Sequence, residues 1–72
     1  MKLGGVHHVS INVTDAAEST RFYTEVLGLQ LRDDRPDFSF GGAWLQAGAQ
    51  EIHLLEVEDF VAPKGQHFAL DV

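Results

Sequence analysis

Apolar and polar positions change their period along this chain, and the changes mark out its elements. From Val6 to Val13 the sequence reads V-H-H-V-S-I-N-V. Val9, Ile11 and Val13 alternate with His8, Ser10 and Asn12, the period of two that predicts a strand with one apolar and one polar face. The period then lengthens. Phe22 and Val26, and Tyr23 and Leu27, stand four apart on one helical face. Asp15 and Glu18 have the spacing of a capping box, and Gly28 stands where a terminating glycine belongs, so the pattern predicts a helix over 15–27. Leu29 and Leu31 begin a second strand. The polar run from Asp33 to Asp37 predicts a turn. Phe38 to Ala47 reads as a third strand, in which Gly41-Gly42 marks a bulge or close backbone approach. Gly48-Ala49 turns the chain into a fourth strand over Glu51 to Val57. Residues 58–65, with Pro63 and Gly65, form a linker, and Gln66 to Val72 reads as a fifth strand.

An internal echo organises these elements. His67-Phe68-Ala69-Leu70-Asp71-Val72 repeats the polarity of His8-Val9-Ser10-Ile11-Asn12-Val13, with His and the last Val identical. Repetition at a fixed period implies a repeated structural unit. The expected fold class is therefore α+β: a single βαβββ module over 1–57, a linker over 58–65, and the first strand of a second module over 66–72. The chain then holds one complete unit plus the opening strand of a second, from a protein of about 120–130 residues, two units of the repeat.

Composition adds a constraint on stability. A chain of 72 residues buries a small core and usually needs a disulfide, a metal or a partner chain. There is no Cys, which leaves a metal or a partner; four His residues supply ligands for the first. The formal charge of −6, from 5 Lys+Arg and 11 Asp+Glu, argues against nucleic acid. No apolar run approaches the roughly 20 residues of a membrane span. Cytoplasmic location is expected from the missing Cys and the absence of a signal-like N-terminus.

The residues with chemical potential are histidines. His8 lies on the polar face of the first strand. In I-H-L-L-E, Ile52 and Leu54 serve the helix-facing core, which leaves Glu51, His53 and Leu55 on the opposite face. His67 repeats His8 by position and face. Three imidazoles on three strands suit a divalent metal. His7 points to the other face of its strand and reads as structural or at the rim. Glu56 has the wrong parity to join His53 and reads as a solvated acid at the strand end. Trp44, Phe38 and Phe40 read as core or interface residues of the sheet. Loops that cradle phosphates and nucleophile motifs of the P-loop or G-x-S-x-G kind are missing.

The opening V-H-H-V-S-I-N-V-T-D, the helix R-F-Y-T-E-V-L-G-L, the strand E-I-H-L-L-E and the closing G-Q-H-F-A-L-D-V resemble the vicinal oxygen chelate superfamily. That group includes glyoxalase I, methylmalonyl-CoA epimerase, extradiol dioxygenases and the bleomycin and fosfomycin resistance proteins. The resemblance implies that the chain is half of a paired-module cupped sheet, with a divalent metal (Zn, Ni, Fe or Mn) in the cup between two modules. His8 would be the first-strand ligand, His53 the fourth-strand ligand and His67 the first-strand ligand of the second module. The family often has Glu or Gln where His53 stands. The resemblance also implies Lewis-acid chemistry on a small molecule with vicinal oxygens, by a lyase, isomerase or dioxygenase reaction. No general base is assigned: Glu51 and Glu56 are the acids near the fourth strand. The alternatives are a metal-free module that binds a small molecule such as an antibiotic, and an inactive fragment that assembles as a dimer. A homodimer or strand-exchanged oligomer is expected in either case, because a lone module exposes a sheet face and an edge.

Overall fold

The computed structural model describes residues 1–72. Four strands form one sheet in the order β1-β4-β3-β2, with β1 at His8–Val13, β2 at Gln30–Leu31, β3 at Gly42–Ala47 and β4 at Gln50–Glu56. β1 runs parallel to β4, and the other pairings are antiparallel. Helix α1, Ala16–Arg21, and the wider turn that continues it over Phe22–Val26 provide the crossover that a parallel pair requires. The βαβββ module is thus present in a small α+β fold.

The helix begins as its sequence dictates. Asp15 is its N-cap, and the Asp15 side chain accepts from the Glu18 N–H at 3.0 Å. The N–H of Ala16 donates to Glu56 Oε2 at 2.9 Å. Glu56 is therefore not merely a solvated acid: it ties the end of β4 to the start of α1, where a carboxylate also favours the helix dipole. The second half departs from the four-residue spacing. Leu27 N–H bonds to Phe22 O, an i→i−5 contact, so the last turn is a π-helix. The Thr24 hydroxyl donates to Thr20 O at 2.8 Å, the carbonyl that the Thr24 N–H would use in an α-helix. Tyr23 packs on the core, while Phe22 and Val26 are exposed. Gly28, at φ +77°, ends the helix in a conformation that costs glycine little.

Alternation in the strands sets the core. Ala43 and Leu45 of β3 and Ile52 and Leu54 of β4 are buried against the helix side, backed by Val9, Ile11 and Val13 of β1. Gly42 allows β3 and β4 to meet: a Cβ there would collide with the main-chain oxygen of Leu54. The expected close approach at Gly41-Gly42 is real.

Two expected strands differ. The third begins at Gly42, not Phe38, because Phe38 and Phe40 stack on each other outside the ladder, their ring centroids 5.0 Å apart. Residues 66–72 form no strand, since no strand within this chain pairs with them; Phe68 instead packs against the core. A strand exists only through its hydrogen-bonded neighbour, which a sequence pattern does not supply.

Candidate functional site

The sheet face opposite the helix carries the candidate residues His8 and His53. Register places Ser10 beside His53 and His53 beside Trp44, so β1, β4 and β3 each contribute to one row. His8 lies one pair along, beside Glu51. The His8 and His53 rings stack with centroids 4.1 Å apart and planes 14° from parallel. On its other side His53 stacks on Trp44 at 4.2 Å and 8°. His53 is only 8 % exposed, and it is these two flanking rings that bury it. Trp44 is thus a site residue, a role its strand pattern does not disclose. Its parity with Gln46 on β3 is the available signal, and it becomes informative once β3 is set beside β4.

Polar partners fix His53. Its Nε2 lies 2.9 Å from Glu51 Oε1. That hydrogen bond holds the Glu51 carboxyl below its ordinary value, and the nearby Arg32 guanidinium acts in the same direction. An ionised carboxylate only accepts, so Nε2 carries a proton in this contact, and in the neutral tautomer that allows it Nδ1 is the lone-pair nitrogen. Arg32 extends the network. It bonds to Gln46 Oε1, approaches Glu51 at 3.5 Å, and pairs with Asp34 at 2.7 Å. His8 Nδ1 and His7 Nδ1 lie 2.9 Å apart, so one ring donates to the other, and His8 Nε2 keeps its lone pair in the tautomer in which His8 is the donor. His7 accordingly sits at the rim.

Of the three histidines expected to act together, the fold unites two. His8 and His53 are in contact, while His67 is held elsewhere, its Nδ1 donating to Gly65 O at 3.0 Å. No group of three or more His, Asp or Glu residues is arranged to hold a metal ion. The donor types that are present, two imidazoles and a carboxylate, are those of a metal site, but with the rings stacked face to face their in-plane lone pairs run side by side and would have to turn to meet on one ion. Two imidazoles lie on adjacent strands, and a carboxylate orients one of them in the way that ligating histidines are commonly held. Alone they fall short of the three or four protein ligands of a Zn²⁺ site. No helix is long and apolar enough to cross a membrane.

Comparison with known proteins places the fold. A crystal structure of a "putative glyoxalase family protein" from Bacillus anthracis superposes with a TM-score of 0.73 at 27 % identity, over 93 % of this chain and 57 % of that one. An integron cassette protein from the mobile metagenome of Halifax Harbour sewage outfall gives 0.75 at 26 % identity, over 92 % of this chain and 55 % of its own. In sequence, the "Putative ring-cleaving dioxygenase MhqE" of Bacillus subtilis (strain 168) is 46 % identical over 44 residues, which is 61 % of this chain. The chain spans 14 % of that relative's length and a little over half of the two solved structures. The sequence profile of the Glyoxalase/Bleomycin resistance protein/Dioxygenase superfamily matches residues 5–70, and the chain belongs to that superfamily.

Proposed function

We propose that this chain supplies half of a divalent-metal site acting on a small molecule with vicinal oxygens. The observation that carries the reading is the contact of His8 with His53 on adjacent strands, with Glu51 on the far nitrogen of His53. A second module, whether it follows His67 in one polypeptide or comes from another copy of the chain, supplies the remaining ligands. In the first case His67 is the ligand contributed by its opening strand. In the second, a two-fold axis brings His8 and His53 of each chain together.

His8 through Nε2 and His53 through Nδ1 are the ligating atoms in this reading. Bound there, a divalent ion supplies Lewis acidity toward substrate oxygens. Glu51 keeps the His53 tautomer fixed and its ring oriented. Trp44 closes one flank of His53 and excludes water from it. Glyoxalase-type isomerisation and ring cleavage, the activity in the name of the Bacillus subtilis relative, both fall within this chemistry.

Equilibrium dialysis of the purified chain against Zn²⁺, Ni²⁺, Fe²⁺ and Mn²⁺, with metal counted by elemental analysis, tests the proposal. Stoichiometric binding that is lost in both His8→Ala and His53→Ala supports it. Undiminished binding in both variants, or no stoichiometric metal in chain that light scattering shows to be assembled with a second module, overturns it. A metal-free binding module is the second reading, favoured by the run of stacked rings His8, His53 and Trp44 with Phe38 beyond, 6.4 Å from Trp44. Thermal stabilisation by a planar ligand in the presence of chelator distinguishes it.

A further inference from the structure

Cations are scarce in this chain, with 5 Lys+Arg against 11 Asp+Glu. Arg21, Arg32 and Arg35 nevertheless line a single groove of about 660 Å³ between α1 and the outer edge of β3, and no Asp or Glu lines it. A chain of charge −6 thus carries one surface of the opposite sign.

The groove exists because β2 is short. Its ladder on β3 covers Gln30 and Leu31, and the chain makes a last bond from Arg32 N–H to Trp44 O at 2.8 Å. Beyond it the edge of β3 toward Gly42 has no strand against it. Main-chain groups at Gly42 face the same side as those of Trp44, by the period of the strand. Gly42 adds no side chain there.

The three arginines differ in their partners. Arg32 is shared between Asp34 and Glu51. Neither Arg21 nor Arg35 forms an ion pair with any carboxylate. The Arg35 guanidinium lies over the rings of Phe38 and Phe40, 4.9 and 5.5 Å from their centroids, and its Nη2 donates to Phe40 O at 2.9 Å. Its Nε is buried and has no hydrogen-bond acceptor. A buried donor on a charged group is costly when left without an acceptor. Stacking fixes the guanidinium plane and presents its edge, the arrangement that suits an oxyanion.

We propose that this groove binds a small oxyanion, a carboxylate or phosphate group, carried on an apolar body. Arg35 and Arg21 hold the anion, while Leu31, Ala17 and Ala43 face the apolar part. The groove runs along the β3 edge between α1 and the flank of the His8–His53 face, since Trp44, which stacks on His53, and Arg32, which reaches Glu51, also line it; binding there does not depend on a metal.

Titration of ¹⁵N-labelled chain with phenyl phosphate, benzoate and the neutral benzyl alcohol, followed through the arginine Nε–Hε signals, tests it. Saturable shifts at Arg35 and Arg21 with an anion, and none with benzyl alcohol, are expected; whichever anion saturates first identifies the head group. Arg21→Gln, on the exposed helix surface, weakens binding about tenfold, as does Arg35→Gln, because each removes a charge-assisted donor. Lys64→Gln changes it less than about twofold, since a distant surface charge acts only through a screened field. Absence of saturable shifts with either anion overturns the proposal. So does unchanged affinity in Arg21→Gln, or an equal loss in Lys64→Gln. If Arg35→Gln fails to fold, Arg21→Gln decides.

Discussion

The two faces of this sheet are built from the same strands yet reach different ends. On the helix side Leu45, Ile52 and Leu54 are 0–2 % exposed, covered by α1, Tyr23 and Phe68. Across the sheet, His8, His53 and Trp44 stack on one another, and no element of the chain covers them as a layer. One face is finished by its own sequence; the other is closed only ring against ring. The molecule is also less compact than its mass predicts, with its first residues and the stretch over 57–72 largely exposed. Its accessible surface is 5794 Å², against about 4450 Å² for a compact protein of its mass. Its radius of gyration is 12.8 Å, against about 11 Å for its length. A second layer over the open face is what the proposed second module would supply.

Substitutions on the two faces therefore act on different properties. The largest effect is expected from Leu54→Ala, which leaves a cavity in the closed core and costs about 2–5 kcal/mol, a large share of the stability of so small a domain. Urea unfolding followed by circular dichroism measures it; a loss under about 1 kcal/mol breaks the claim that this face holds the fold. Trp44→Ala sharpens the contrast. It uncovers His53 and removes a ring pair worth about 0.5–1.5 kcal/mol, so the fold persists while metal or ligand binding on the open face falls. Equal destabilisation by Trp44→Ala and Leu54→Ala would erase the distinction between the faces.

Smaller effects lie at the ends of elements. Asp15→Ala removes the helix cap and costs about 1 kcal/mol, measured in the same way, with binding on the open face unchanged. The smallest is a pH effect at the rim. A hydrogen bond from Arg32 holds the Asp34 carboxyl below its ordinary value. A depressed folded-state pKa contributes stability above the unfolded pKa, and that stability is lost as pH falls through the folded value. Asp34→Asn should flatten the acid limb of the stability profile slightly and leave neutral-pH binding intact. An unchanged acid limb would show that this exposed pair contributes nothing.

Much of this organisation is legible in the residues. Alternation from Val9 to Val13 and from Ile52 to Leu55 separates the faces, and Asp15, Glu18 and Gly28 bound the helix. His8 and His53 share a face by parity alone. Trp44 is less visible, because its partner lies on another strand and register decides the contact. Arg21 and Arg35 are invisible as a pair, since one is on the helix and the other in a loop. Gln66–Val72 has the alternation of a strand and no partner within the chain, because the strand pattern is a statement about faces, whereas pairing needs an edge to meet.

By itself, the sequence determined which residues are apolar, where their period changes, and which imidazoles stand on the polar side of each strand. These follow from local geometry: side chains alternate along a strand and recur by turns along a helix. Tertiary structure decided the rest. It placed β1 parallel to β4, so that His8 reaches His53; it set Trp44 against the other side of that ring; it ended β2 early and left the β3 edge to three arginines. Contacts between residues far apart in the chain depend on strand order and register, and neither is a property of any one segment.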